Sequence, residues 1–184
     1  MFCHLTLTCA LGLAPVHGDD SDDGTLQRLR TTESVVRAAI DEGRRRSPTF
    51  ASLVEAIEHS NTFVYVTRAF MLPHRMEGCL VPSRSRTGSL RVLLAMGMGK
   101  DRTIVVLAHE LQHVREVLDA GGGHDQTAFD SLFTRIGIRQ LGTPTERYET
   151  SAAQEVMTIV GREIRADRTG RTSRPFCDCC AKTS

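Results

Sequence analysis

The 184-residue chain has almost no excess charge of either sign, with 23 Lys and Arg against 22 Asp and Glu and a formal net charge of +1. That balance argues against a dedicated nucleic-acid binder, which needs a dense cationic face to hold phosphates. The one basic cluster, "GRRRSP" from Gly43 to Pro48, follows a helical pattern and precedes a proline. It reads as a solvated helix end, with arginines at the negative pole of the dipole. Also missing is an apolar run long enough for a membrane-spanning helix, which takes about 20 residues. The nearest approach is "MFCHLTLTCALGLAPVHG" (1–18), a short apolar stretch that ends near small residues and meets "DDSDDG". It reads as a secretory signal peptide followed by an acidic linker over 19–25, so export to the periplasm or outside the cell is expected, the alternative being a disordered or mis-started N-terminus.

Cysteine is scarce once such a leader is removed. Cys79 stands alone in the body, and Cys177, Cys179 and Cys180 cluster in the tail. One cluster without a matching second half is a poor zinc signature, and "RTGRTSRP" before it reads as linker. The segment 168–184 is therefore expected to be a flexible tail without a catalytic role. No internal repeat is visible, and the remaining stretch, 26–167, suits one domain with a hydrophobic core.

Within that domain, Leu26 to Gly43 has helical spacing, with Val35, Val36, Ala39 and Ile40 on one face. "SPTFASLVEAIEHS" opens a second helix, with Ser47 as cap, Pro48 in the first turn and Phe50, Leu53, Val54 and Ile57 as its apolar stripe. Strands are expected over Thr62–Thr67, around Leu80 and over Gly88–Met96. Helices follow over about Asp101–Asp119, Gln126–Ile136 and Thr145–Asp167, the last capped by Thr143 with Pro144 in its first turn. Strands preceding paired helices, without regular alternation, make the class α+β.

"LAHELQH" (Leu107 to His113) lies in the first of those three helices. Positions four apart share a helix face, so His109 and His113 project side by side and can bind one zinc ion. Glu110 sits about 100° round the helix, where its carboxylate can take a proton from a zinc-bound water. This is the His-Glu-x-x-His pattern of the zinc metallopeptidases called zincins. The helix around it is apolar nearly all round, from Ile104 to Leu118, and two histidines and a glutamate on a buried helix need partners. The plainer alternative makes both histidines core groups bonded to backbone carbonyls.

A catalytic zinc takes three protein ligands and leaves a position for water. Glu149 is the candidate third ligand. It heads a stripe of Ala152, Ala153, Val156, Val160 and Ile164, so it is expected on the core-facing side of the last helix. A carboxylate there needs a metal, or failing that an arginine. Asp119, six residues after His113, and His124 are rivals. Some short zincins place a ligand at the Asp119 position after a chain-reversing glycine, but the residue three after His113 here is Glu116 in a helical stretch.

With "SPTF", "FVYV", "GCL", "LAHELQH" and "YETSAA" in that order between Ser47 and Ala166, the chain resembles small bacterial gluzincin-like proteins. The resemblance implies a zincin-like fold, a small mixed or antiparallel sheet packed on the His helix, with a second helix carrying the third ligand. It implies one Zn2+ per chain on His109, His113 and Glu149. Peptide-bond hydrolysis would have Glu110 as general base and then acid, acting on a peptide or protein substrate. It also implies that the strand over Gly88–Met96 offers its edge to an extended substrate, a mode that fixes a peptide backbone whatever its side chains. Tyr148 and Tyr65 are candidate oxyanion donors. Larger gluzincins carry an Asp four residues after the ligand Glu to orient a zinc-bound histidine. Ala153 stands there in this chain, so that contact must come from elsewhere. The alternative function is a non-catalytic zinc-binding domain that recognises a peptide or protein partner.

Overall fold

Where a helix over 26–43 is expected, the computed structural model begins with a short strand, Leu29–Arg30 (β1). The structure describes residues 27–72, 76–83, 88–121, 126–139 and 148–172. The leader, the acidic linker, His124, the Thr143–Pro144 helix start and the cysteine tail lie outside them. β1 pairs in parallel with Val64 and Tyr65, while the Glu58 carboxylate accepts the backbone N–H groups of Arg28 and Leu29. These long-range bonds outweigh helical propensity, and the helix starts only at Ser34–Arg46 (α1). Its buried stripe is Val36, Ala39, Ile40 and Gly43, whereas Val35, expected on that face, is 52% exposed.

The second helix, Pro48–Glu58 (α2), follows its sequence signals. Ser47 Oγ accepts the Phe50 N–H at 3.0 Å, and Phe50, Leu53, Val54 and Ile57 are all buried. Burying each such side chain contributes roughly 1.5–3 kcal/mol, so this stripe anchors the helical layer.

The reading of "GRRRSP" as a solvated end holds for the exposed Arg44 and Arg45 but not for Arg46. Its guanidinium is buried between helices, 2.8 Å from Asp101 and 2.9 Å from Asp167, and it donates to the Ile164 carbonyl at 2.6 Å. A buried guanidinium is tolerated only when its donors find acceptors. Here Asp101 and the Ile164 carbonyl, on two further helices, accept from the two Nη groups, while Nε is ion-paired with Asp167 without a hydrogen bond, so Arg46 clamps both helices to α1.

The sheet is four-stranded and mixed. Phe63–Ala69 (β2) pairs in parallel with β1 and with Ser89–Ala95 (β4), and Gly78–Pro82 (β3) runs antiparallel on the far side of β4. Val64, Val66, Leu90, Val92 and Leu94 alternate along β2 and β4 and are fully buried against the helices. The helix Lys100–Asp119 (α3) runs through the centre, touching α1, α2, β3 and β4. Gln126–Ile136 (α4) follows. Ile138–Arg139 (β5) and Tyr148–Glu149 (β6) then make a two-stranded antiparallel ribbon. The final helix, Ser151–Thr172 (α5), lies along α3 and continues past the expected end at Asp167. Among the described residues, five helices and a small mixed sheet make an α+β chain. None of those helices is long and apolar enough to cross a membrane.

Candidate metal centre

His109, Glu110 and His113 share α3, whose Ile104, Leu107, Ala108, Leu111 and Val114 are fully buried. The two imidazoles stand edge to face with centroids 4.8 Å apart, as four-residue helical spacing requires. Glu149 meets them from another part of the chain. Its Oε1 lies 3.3 Å from His109 Nε2 and 3.5 Å from His113 Nε2. Zinc bonds of 2.0–2.1 Å in tetrahedral geometry put neighbouring donor atoms about 3.3 Å apart. The three ligand atoms all fall within 4.8 Å of one another, so this His-His-Glu group could hold a metal ion. His109 Nδ1 is buried and has no hydrogen-bond partner among the described residues.

Glu149 reaches the site by a different route from the one its sequence pattern suggests. It lies on β6, opposite Ile138, and not on a helix. The next residue, Thr150, ends the strand and starts α5: its Oγ1 accepts the Ala153 N–H at 3.2 Å and its carbonyl accepts the Gln154 N–H. A threonine at a helix N-cap fills backbone donors that the helix leaves orphaned. The buried stripe of α5 accordingly starts at Ala153 and continues through Val160 and Ile164, while Ala152 is exposed. The ribbon therefore delivers the third donor, and no arginine pairs with it among the described residues.

Burial dominates the electrostatics. It pushes the Glu110 carboxyl up, with the two histidines opposing and Glu149 reinforcing. Burial pushes the His113 imidazole down, but hydrogen bonds to Glu116 and Glu149 and the nearby carboxylate charges hold it up at about 9. Burial likewise pushes Glu149 up, and hydrogen bonds to both histidines overcome it to leave the carboxyl at about 2.

A cleft of about 610 Å³ opens over these groups. One wall is β3 with Met76, Glu77, Gly78, Cys79 and Leu80, and the other is α4 with Phe129 and Phe133. Among the described residues, the sheet edge at the cleft is thus β3, which pairs with β4 alone. The expected strand, β4, is paired on both sides, to β2 and β3, and has no edge to offer. Ser83 donates to Ser89 and Ala95 to the Glu77 carbonyl. Alternation along the ladder then turns the N–H and C=O of Gly78 and Leu80 outward. Gly78 also lacks the Cβ that would sit 2.6 Å from Glu110 Oε1.

The remaining candidates fall away from the cleft or outside the described region. Asp119 is exposed and lies 3.8 Å from Arg115. Tyr65 sits between the buried Val64 and Val66 on β2, so it faces the opposite side of the sheet. The side chain of Tyr148 is outside the described residues. Glu116, which sequence reasoning passed over, is part of the site: its carboxylate accepts from His113 Nδ1 at 2.9 Å and from Thr150 Oγ1 at 2.7 Å. Its spacing three residues after His113 on one helix was the available signal.

In comparisons with known proteins, no family model, curated protein or solved structure matches this chain.

Proposed function

We propose that this chain is a zinc-dependent peptidase of zincin-like fold that hydrolyses peptide bonds, holding one Zn2+ on His109, His113 and Glu149. The observation that carries the reading is Glu110. It is a buried carboxyl on the histidine helix, opening on the cleft beside the three donors, with burial raising its affinity for a proton. A purely structural metal site has no use for such a group, whereas hydrolysis needs a base that later returns its proton as an acid.

Bound zinc supplies a Lewis acid that polarises a carbonyl and acidifies water. The chain's own residues do the rest. Glu110 takes the proton of the attacking water and delivers it to the leaving amine nitrogen. The outward N–H and C=O groups of Gly78 and Leu80 hold an extended peptide backbone along β3. Phe129, Phe133 and Met157 give the cleft an apolar wall for a substrate side chain.

Zinc content and turnover test this together. The parent chain is expected to carry about one zinc, diminished by Glu149→Ala and untouched by Asp119→Ala, and to cleave members of a peptide library. Glu110→Gln should keep the metal and lose roughly 10²–10⁴-fold in turnover. A zinc-loaded parent without turnover on any peptide would make the chain a binding domain. A parent that takes up no zinc would return His109 and His113 to the core.

A further inference from the structure

We infer that Glu116 is a positioning residue that ties the second histidine to the third metal donor, and so sets the distance between them. The inference rests on the metal reading above. Glu116 sits on α3 three residues after His113, with its side chain only 11% exposed. Among the described residues no Lys or Arg pairs with it, and its oxygens go to two different groups. Oε2 accepts from His113 Nδ1 and Oε1 accepts the Thr150 hydroxyl proton.

Each bond has a consequence at the site. With Nδ1 given to Glu116, Nε2 is the nitrogen left to face the donors, and it is the one 3.5 Å from Glu149 Oε1. One carboxylate oxygen therefore sets both the tautomer and the ring plane of His113. The other holds Thr150, the residue next to Glu149. The Thr150 hydroxyl spends its proton on Glu116 and accepts the Ala153 N–H, so the start of α5 is docked to α3 at this point. Glu149 is thereby held between its ladder partner Ile138 and an anchored neighbour. Ala153, buried on α5, has no polar side-chain atom to serve instead.

The experiment is zinc affinity of the full chain, measured by competition with a chromogenic chelator, for parent, Glu116→Gln and Thr150→Val. Ring nitrogen shifts of His113 in the zinc-loaded chains are recorded alongside by NMR. Glutamine keeps the length of the side chain but has one acceptor oxygen where two are used. Glu116→Gln is expected to weaken zinc binding 10- to 100-fold while the metal-free chain stays folded. The His113 Nδ1–H signature of the parent should also be altered. Thr150→Val should weaken binding through the other end of the link, and Thr150→Ser should restore it. If Glu116→Gln does not fold, the Thr150 pair decides. Affinities within about twofold of the parent in every folded variant, with the His113 signature unchanged, would overturn the inference and leave the metal reading standing. A parent that binds no zinc would overturn both.

Discussion

At the scale of single residues, the site places three acidic groups around two imidazoles, and their protonation is coupled to folding. In the metal-free chain His113 is held at about 9 against an ordinary 6.5. A raised imidazole stabilises the fold in full below about 6.5 and loses that contribution as pH rises through about 9. Glu110 acts in the same direction, because the folded chain keeps a proton that the unfolded chain releases above about 4.5. Glu149, held at about 2, contributes above about 4.5 and loses its contribution as pH falls through about 2. The urea midpoint of the metal-free chain is therefore expected to peak near pH 4.5, to decline above it because burial opposes ionisation of Glu110, and to fall further between about pH 6.5 and 9 as the His113 contribution is lost. A midpoint that climbs over that upper range would contradict these assignments. Zinc needs His113 deprotonated, so binding at pH 7 should release a proton, measurable by calorimetry in buffers of different ionisation enthalpy. Gly78 supplies a second test. A Cβ there would meet Glu110 Oε1 at 2.6 Å and Val106 Cγ1 at 2.8 Å. Gly78→Ala should lower stability by about 1–3 kcal/mol and, under the proposed peptidase function, reduce turnover further than the stability loss explains.

At the scale of elements, helix packing depends on a buried charge as well as on apolar stripes. Arg46 joins α1 to Asp101 on α3 and to Asp167 and the Ile164 carbonyl on α5. Removing one partner from a buried ion network leaves the others uncompensated. Asp101 and Asp167 keep some solvent contact, with side chains 27% exposed, which softens the effect. Arg46→Ala should still lower the unfolding free energy by about 2–3 kcal/mol, read from urea denaturation. A solvated helix end would lose no more than about 0.5 kcal/mol. How far each element was legible follows from which forces place it. α2 has its cap, its first-turn proline and its stripe within one local segment, so periodicity alone found it. β1 has only two residues, and its partners are Val64 and Tyr65, which no local window contains.

At the scale of the whole molecule, the candidate centre joins α3 to the junction of β6 and α5, two parts of the chain that are also linked by packing and by the Thr150–Glu116 hydrogen bond. A metal bound there stabilises the native state by mass action, about 2.7 kcal/mol at a free concentration a hundredfold above Kd. For a chain of this size that is a rise in Tm of roughly 5–10 °C. Differential scanning calorimetry with and without zinc should show it, and a chelator should reverse it. A Tm indifferent to both would mean that the three donors are not joined by a metal.

The sequence by itself determined much of what short-range geometry controls: the shared face of His109 and His113, Glu110 beside them, the cap and stripe of α2, and the α+β class. It also singled out Glu149 as a carboxylate with a reason to be buried, though for a helical reason that does not hold. Only the tertiary structure decided that Glu149 arrives on a ribbon, since pairing with Ile138 and the Thr150 cap delay the helix to Ser151. It alone decided that, among the described residues, β3 and not β4 is the edge strand, because strand order is set by which strands pair across the sheet. The roles of Arg46 and Glu116 belong to the same class. The local pattern gave no reason to bury either charge, and only the elements that fold over it determine whether it is buried and what it must then bind.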